Sequence, residues 1–402
     1  MRRAAVLALL AGFAVMPARA YAPAGQSGAR DAVRRGSASL HLAFALQRVL
    51  EPGRNLVVSP LSIQQAFAMA DAGTRGPTRR ELEAALRLRP GGRALHAGMA
   101  ALQRGLDSGT DGGRLRLDVA NAVWAQTGYP IRSSYLATLR AYYGATPADA
   151  DFRADPEAAR TRINDWAAER TAGRITNLFG RGDVTPLTRL VLANAVYLKA
   201  TWKDAFDPAA TRDEAFRPLR GPPVQVPMMH RTGRYPWVRR TGYTAIELPY
   251  TGERLAMLVV IPDAGRFAAV ARDLDARGLA ATVAALRTGE VGLALPRFTL
   301  RSDLDLKAPL QRLGVRAAFE PGAADFSGLS PQARADRLHI AKALQKAFVQ
   351  VDETGTEAAA VTGVGVDAVS APPSVVADRP FLFVIRDRPT GAALFLGRVL
   401  SP

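Results

Sequence analysis

Hydrophobic residues recur at helical spacing through the first third of the chain. A first helix is predicted after the caps Ser37 and Ser39, and its apolar face consists of Leu42, Leu46, Val49 and Leu50. Ser59 followed by Pro60 is typical of a second helix start, with serine as N-cap and proline at the first helical position. A third amphipathic stretch covers residues 78–88 and ends at a Pro-Gly-Gly turn signal.

Later segments have the composition of β-strands, because they are apolar and rich in β-branched or aromatic residues. The predicted strands are Val191–Leu198, Leu255–Ile261, Val291–Leu300, Phe381–Ile385 and Ala392–Leu400. No long linker, internal repeat or low-complexity tract divides the chain. The pattern therefore predicts one α+β domain with large sheets.

Residues 353–373 fit neither pattern. Glycines and prolines interrupt small and β-branched residues there, and predicted strands flank the segment. A segment of this length inside a compact domain indicates a functional loop.

Residues 1–20 have the features of a secretory signal peptide. Arg2 and Arg3 provide the positive start, residues 4–16 form an apolar run, and Ala18-Arg19-Ala20 is a small-x-small cleavage site. The apolar run is too short to span a membrane as a helix. We therefore expect export to an extracellular or periplasmic location, no membrane span, and a mature domain of residues 21–402.

Composition restricts the partners and the chemistry. The 402 residues include no cysteine, which excludes disulfides, thiol redox chemistry and thiolate metal sites. The formal charge of +17 favours polyanions such as nucleic acid or sulfated glycans. The densest basic stretch contains Arg75, Arg79, Arg80, Arg87, Arg89 and Arg93. A GC-rich genome would also enrich arginine, so weak polyanion binding is the lesser prediction.

Enzyme motifs are missing. The sequence has no G-x-S-x-G elbow, no Walker-type Gly-Lys pair and no H-E-x-x-H. His41, His96, His230 and His339 share no metal-ligand spacing, and no cofactor or metal is predicted. A Ser-His-Asp site assembled from distant segments stays open, although nothing favours it.

Residues 352–360 read Asp-Glu-Thr-Gly-Thr-Glu-Ala-Ala-Ala. This segment resembles the hinge of the reactive-centre loop of the serpin family of serine protease inhibitors. The hinge residues on this resemblance are Glu353, Gly355, Thr356, Glu357, Ala358, Ala359 and Ala360. Residues 370–373 resemble the segment after a serpin's scissile bond, and residues 378–385 resemble the buried strand that follows. The resemblance implies a serpin fold: one α+β domain with a large main sheet, two smaller sheets, surrounding helices and an exposed loop at about 353–373.

Earlier segments are similar to other serpin landmarks. Residues 55–62 resemble the start of the second serpin helix, and residues 192–199 resemble a strand of the main sheet. The resemblance implies a sheet-opening region that contains Ser59, Ser62, Asn194, Trp202 and Gln345. A helix cap and a satisfied buried amide are alternative roles for the serines and Asn194. Gln345 replaces the usual serpin histidine; it can still donate and accept hydrogen bonds, but the change bears on the energy of sheet opening.

The hinge composition suits insertion into a sheet. On a strand, alternate residues share a face, so small side chains would enter the core together: Thr356, Ala358, Ala360 and Thr362. Bulk or charge at these positions would be costly. Gly355 lies where the backbone must swing, which glycine does freely. An alanine-rich helix capped by Thr356 is the alternative, but Gly363 and Gly365 argue against its continuation.

The usual serpin spacing from the hinge implies a scissile bond at Val369–Ser370, with Ala368 as the alternative residue before the bond. A small apolar residue there suits elastase-like proteases, and subtilisin-like proteases stay open. The sequence thus predicts a monomeric suicide inhibitor of a serine protease with a small apolar specificity pocket, not an enzyme. The alternatives are a non-inhibitory serpin-fold binder or substrate, a polyanion-binding protein and a secreted hydrolase.

Overall fold

Helices and strands fill most of the chain that the computed structural model describes, which comprises residues 26–108, 115–145, 148–356 and 372–402. The helices are α1 (Gln26–Val49), α2 (Pro60–Ala72), α3 (Gly76–Ala85), α4 (Gly92–Asp107), α5 (Ser133–Tyr143), α6 (Pro156–Arg170), α7 (Phe267–Asp273), α8 (Ala276–Ala285) and α9 (Lys307–Arg312). The strands are β1 (Leu56–Val58), β2 (Leu115–Gln126), β3 (Ala148–Ala150), β4 (Leu190–Thr201), β5 (Arg212–Phe216), β6 (Val224–Arg240), β7 (Tyr243–Pro249), β8 (Leu255–Pro262), β9 (Arg287–Pro296), β10 (Phe298–Asp305), β11 (Ala343–Val351), β12 (Gly355–Thr356), β13 (Ser374–Val376), β14 (Phe381–Asp387) and β15 (Ala393–Val399). No helix in these ranges is long and apolar enough to cross a membrane.

The start of the first helix was predicted wrongly. α1 begins at Gln26, so Ser37 and Ser39 lie within it rather than at its N-cap. The buried Ser39 hydroxyl donates to Gly36 O at 2.8 Å and accepts from Ala393 N at 2.8 Å. Ser39 therefore ties the helix to β15. The prediction for α2 is confirmed, since Ser59 is its N-cap in extended conformation and Pro60 is its first residue.

A six-stranded sheet contains β10, β11, β4, β2 and β3 in that order, with β12 also paired to β4. β10 with β11 and β4 with β2 are antiparallel, whereas β11 and β4 run parallel over six residue pairs, from Ala343↔Leu192 to Phe348↔Tyr197. β12 pairs antiparallel with β4 just beyond the last of these six pairs. We call the six pairs the parallel junction.

The other strands form a nine-stranded sheet in the order β1, β15, β14, β8, β7, β6, β9, β13, with β5 paired to β6. β6 joins the two smaller sheets expected from the sequence, because its first part pairs with β5 and β9 and its last residues pair with β7. The predicted α+β class with a large sheet is confirmed, and the two smaller sheets are hydrogen-bonded into one.

The predicted strand Val291–Leu300 is two strands. β9 ends at Pro296 and β10 begins at Phe298, and the two belong to different sheets. An apolar run alone does not show the break, because both strands are buried on the faces that meet in the core.

β4 is covered on both faces, which explains its continuous apolar sequence. Val196, Leu198 and Ala200 join the core between the two sheets, together with Phe383. Ala193 and Ala195 face the opposite way, where they pack in a cluster with Ile163 of α6.

A buried carboxylate lies at the end of α2. Asp71 is fully buried; its Oδ1 lies 3.3 Å from the Thr74 hydroxyl and 3.8 Å from Arg79 Nε. Its Oδ2 has no hydrogen-bond partner among the described residues. Burial raises the pKa of Asp71 to about 6, and Glu83 adds to this, against the opposing effect of Arg79. A negative charge near a helix C-terminus is also unfavourable.

We expect Asp71→Asn to remove a pH dependence from the stability of the protein. The folded-state pKa lies above that of unfolded aspartate, so the folded state binds the proton more tightly and loses stability as pH rises. Between about pH 4 and about pH 8, the free energy of unfolding of the wild type should fall by up to about 3 kcal/mol. The variant should not show this fall. Urea unfolding at both pH values measures this difference.

Asp325→Asn is the matched control. The Arg334 guanidinium beside Asp325 lowers the pKa of that carboxyl to about 2, so Asp325 makes the folded protein more stable as pH rises. Replacing Asp325 should therefore change the pH dependence of stability in the sense opposite to Asp71→Asn. Identical pH profiles for wild type and Asp71→Asn would contradict the raised pKa.

Candidate functional site

The chain reverses direction immediately after β11. Asp352 N donates to Gly355 O at 2.9 Å, and Gly355 N donates back to Asp352 O at 3.3 Å. The Asp352 carboxylate accepts hydrogen bonds from the Thr354 amide at 2.9 Å and the Thr354 hydroxyl at 2.7 Å. This closed turn directs residues 355–356 back along the sheet as β12.

Gly355 approaches β4 too closely for any side chain. Its φ is 153°, and a Cβ atom there would lie 2.1 Å from the carbonyl oxygen of Ala200. Only glycine avoids both the backbone strain and this contact.

Thr356 is already part of the six-stranded sheet. It is fully buried and pairs with Ala200 of β4. Its hydroxyl lies 2.7 Å from the Tyr250 hydroxyl, and burial raises the pKa of Tyr250, so this partner is a neutral phenol. Tyr250 stacks on Trp202, with ring centroids 4.6 Å apart and planes 8° from parallel. A charged side chain at position 356 would lose the hydroxyl contact and enter an apolar site.

The segment that leaves β4 donates hydrogen bonds to carbonyl groups of the hinge turn, residues 352–355. Trp202 donates its backbone amide to Thr354 O at 2.9 Å and its indole Nε1 to Asp352 O at 3.0 Å. Phe206 N donates to Glu353 O at 2.8 Å. The carbonyls of three successive hinge residues are therefore hydrogen-bonded to the segment that leaves β4.

The Glu353 side chain adds a charged contact. Glu353 is 4% exposed, and its carboxylate accepts hydrogen bonds from Arg297 Nε at 2.6 and 2.8 Å and from the Thr211 hydroxyl. Burial acts to raise its pKa, but these hydrogen bonds outweigh burial and hold the pKa of Glu353 below its usual range. The carboxylate therefore stays ionised and fixes the start of the hinge to the β9–β10 connection.

A second polar cluster lies inside the parallel junction. Gln345 Oε1 accepts from Ser59 N at 2.9 Å, and Gln345 Nε2 lies 3.0 Å from Ser59 O and 2.9 Å from Asn194 Oδ1. Asn194 Nδ2 donates to the Ser62 carbonyl at 3.2 Å and also contacts the Ser62 hydroxyl and Asn121 Oδ1. Gln345 and Asn194 are opposite each other in the β11–β4 register. One buried glutamine thus connects both strands of the junction to the start of α2.

The side-chain amide contacts continue from β2 through α2 to α4. Asn121 Nδ2 donates to Gln65 Oε1 at 3.1 Å, and Gln65 Nε2 donates to Gln103 Oε1 at 2.8 Å. Gln103 Nε2 donates to Asp107 at 2.7 Å. A chain of amides therefore crosses from β11 through β4 and β2 to α2 and α4.

The comparison with known proteins decides the family. The family Serpin (serine protease inhibitor) matches residues 37–402 of this chain. The chain belongs to the serpin family. The matched range covers all of the described site, from the start of α2 to the hinge.

Individual relatives cover most of this serpin. An uncharacterized serpin-like protein of Thermococcus kodakarensis is 39% identical over 354 residues, which is 87% of this chain and 81% of that protein. The leukocyte elastase inhibitor of Bos taurus is 37% identical over 87% of this chain and 94% of its own. The crystal structure of uncleaved ovalbumin has a TM-score of 0.84 and 26% identity, covering 91% of this serpin and 99% of ovalbumin.

The structure separates the predicted sheet-opening residues into two places. Ser59, Ser62, Asn194 and Gln345 meet in the parallel junction, whereas Trp202 lies beside the hinge turn. Ser59 caps α2 through its backbone alone, since its side chain makes no capping hydrogen bond. The predicted hinge residues Glu357, Ala358, Ala359 and Ala360 and the predicted bond Val369–Ser370 lie outside the described residues.

Sequence reasoning did not find several contacts of this serpin's hinge and junction. Tyr250, Thr211 and the side-chain role of Arg297 come from loops and strands far from the hinge in sequence. Asn121 comes from β2, at a position with no local motif. Only the strand register brings these residues to the site.

We expect Gln345→Leu to destabilise the native serpin. The change keeps the volume but leaves Ser59 N and Asn194 Oδ1 without their glutamine partners inside the sheet, which should lower the free energy of unfolding by about 2–4 kcal/mol. Urea unfolding measures the loss. Gln345→His retains a donor and an acceptor and should lose less.

Gln350→Leu is the control from the same strand. Gln350 is only half-buried on β11, and its loss should change the unfolding free energy by about 0.5 kcal/mol or less. Equal losses for Gln345→Leu and Gln350→Leu would show that the junction does not depend on the Gln345 hydrogen bonds.

Proposed function

We propose that this serpin is a suicide inhibitor of an elastase-like serine protease, cleaved at Val369–Ser370 and trapped by insertion of the cleaved loop between β4 and β11. The observation that carries the proposal is the pairing of Gly355 and Thr356 with β4 at the open end of the parallel junction. This is the first step of a new strand, and it is already made before any cleavage.

The covalent step follows ordinary serine-protease chemistry. The protease serine Oγ attacks the carbonyl carbon of Val369 and gives up its proton. The Val369–Ser370 amide bond breaks, the nitrogen of Ser370 takes up a proton and leaves as an amine, and Val369 stays attached to the protease as an acyl ester. Water would hydrolyse this ester, so inhibition requires insertion to move and deform the protease first.

The observed register supports insertion of the following residues. If the pairing of Thr356 with Ala200 continues, Ala358 meets Leu198 and Ala360 meets Val196, two β4 residues of the core between the sheets. Small side chains fit this face with little rearrangement. Glu357 would pair with Lys199 on the opposite face, where opposite charges across two strands are favourable.

Insertion would replace the parallel pairing of β4 with β11 inside the sheet. The six parallel pairs of β4 with β11 would separate, and the new strand would run antiparallel to both neighbours. Antiparallel pairing is slightly more stable per residue than parallel pairing. If roughly ten residues gain ladder hydrogen bonds at about 1 kcal/mol net each, insertion releases about 10 kcal/mol, comparable with the stability of a domain. The residues 356–369 would extend over roughly 45 Å as a strand at ~3.3 Å each, which carries the acylated protease far from its first position.

The loop composition supports an elastase-like target. No lysine or arginine occurs between Lys346 and Arg379, and no aromatic residue occurs between Phe348 and Phe381. Trypsin-like and chymotrypsin-like proteases require such residues before the cleaved bond, whereas Val369 suits a small apolar pocket. The similarity to the leukocyte elastase inhibitor of Bos taurus agrees with this choice. Export by the predicted signal peptide of residues 1–20 would place this serpin with extracellular or periplasmic proteases.

Incubation of the mature protein with an elastase tests the proposal, read on a denaturing gel and by mass spectrometry. An adduct that survives heat and detergent, with a released fragment that begins at Ser370, is the expected result. Cleavage without an adduct would replace the proposal by the alternative of a non-inhibitory serpin-fold binder or substrate. Absence of both cleavage and adduct with elastases and subtilisins would reject the target class.

We expect Thr356→Arg to convert the inhibitor into a substrate. The guanidinium would have to enter the buried site beside Tyr250, which opposes β12 and delays insertion until water hydrolyses the ester. The number of inhibitor molecules consumed per protease should rise at least tenfold. Thr299→Arg adds the same charge at an exposed position of β10 and should leave this ratio unchanged. The same ratio for both variants would contradict insertion at Thr356.

We expect Val369→Arg to redirect the protein toward trypsin. The adduct should form with trypsin, whose specificity pocket carries an aspartate, and its formation with elastase should fall by at least tenfold. Adduct formation with each protease, compared between the variant and the wild type, measures this. An unchanged preference for elastase would place the scissile bond elsewhere in the loop.

A further inference from the structure

A cleft remains on the surface that none of the hinge contacts uses. It has a volume of about 480 Å³ and lies between the β5–β6 connection, the β8–α7 turn and the chain entering β14. Its apolar walls are Pro218, Leu219, Pro262, Phe267 and Pro380. This volume is in the range of sites that bind small molecules.

The walls of the cleft are held in place by the backbone. Arg217 N donates to Asp378 O at 2.8 Å, and Leu219 N donates to Leu400 O at 3.2 Å. Asp263 N donates to Gly242 O at 2.9 Å on the opposite side. The cleft is therefore preformed.

One of the exposed large hydrophobic side chains lines the cleft. The large hydrophobic side chains exposed in the described part of the chain are Val33, Leu187, Leu219 and Val224. Leu219, at 40% exposure, is on the β5–β6 connection and lines the cleft, whereas Val224 is the first residue of β6 and does not line it. The exposed Leu219 side chain therefore adds to the apolar wall that a ligand in the cleft could contact.

The mouth of the cleft has an excess positive charge. Arg217 and Arg379 share one carboxylate, with Arg379 Nε 2.7 Å from Asp378 Oδ1 and an Arg217 nitrogen on Oδ2. Asp263 also lines the cleft, but it pairs with Arg239 at 2.8 Å. Two guanidinium groups on one carboxylate leave one uncompensated positive charge, and each guanidinium has five N–H donors, more than this carboxylate uses.

We propose that this cleft binds a small amphiphilic carboxylate. An alkyl or aryl chain packs against Leu219, Phe267 and Pro380, while the carboxylate accepts charge-assisted hydrogen bonds from Arg379 and Arg217. A single excess charge beside an apolar cavity fits a monoanion rather than a polyanion, which would need several cations in a row. The proposal does not depend on protease inhibition.

Isothermal titration of the full-length protein with sodium octanoate, below its micelle concentration, tests the site. We expect saturable binding at one site, and at least tenfold weaker binding of 1-octanol, which has the chain without the charge. Arg379→Gln should weaken octanoate binding roughly tenfold through the lost charged hydrogen bond. Leu219→Ser should weaken octanoate and octanol alike, because it removes the apolar wall.

Two remote variants are the matched controls. Arg334→Gln removes an exposed arginine paired with one aspartate, and Leu187→Ser removes a leucine that is 83% exposed. Neither should change octanoate binding. Absence of saturation, equal binding of octanol, or equal weakening by the controls would overturn the proposal. If circular dichroism shows that Leu219→Ser does not fold, the half-exposed Arg379→Gln alone decides.

Discussion

The parallel junction between β4 and β11 is the constraint on which the rest of the site depends. These strands are neighbours in the six-stranded sheet although the chain between them forms most of the nine-stranded sheet. Parallel pairing requires a long connection and is slightly less stable per residue than antiparallel pairing. Six residue pairs hold the strands together, and Gln345 adds the hydrogen bonds that connect the pair to α2 and Asn194. An antiparallel strand between β4 and β11 would replace this parallel pairing by antiparallel pairing on both sides, which is slightly more stable per residue.

The hinge is arranged around the open end of this junction. Trp202 and Phe206 hold three successive carbonyls, Arg297 holds Glu353, and Gly355 allows the backbone to lie against Ala200. Thr356 then pairs with Ala200 of β4, and its hydroxyl has a partner in Tyr250. Under the proposed insertion, the hydrogen bonds that hold residues 352–356 would also set the register of a longer strand.

The two strands that flank the predicted loop in sequence, β12 before it and β13 after it, are its anchors, and they differ in their surroundings. The anchor before the loop is buried in the six-stranded sheet, whereas β13 after the loop pairs with β9 over three residues at the end of the nine-stranded sheet. Asp378 and Arg379 follow the end of β13 after one intervening residue, and they form the charged mouth of the surface cleft. A ligand in that cleft would therefore contact the chain within a few residues of the second anchor.

The sequence by itself determined the family, the α+β class, the start of α2 at Pro60 and the hinge composition, because these depend on local order along the chain. It also indicated that Ser59, Asn194 and Gln345 matter, but through resemblance rather than through contact. Tertiary structure decided the rest. Ser39 joins α1 to β15 instead of capping a helix, the run Val291–Leu300 divides between two sheets, and Tyr250 and Arg297 reach the hinge from distant strands. The physical reason is that register and burial arise only when strands far apart in sequence pair, and no local pattern specifies which side chains that pairing brings together.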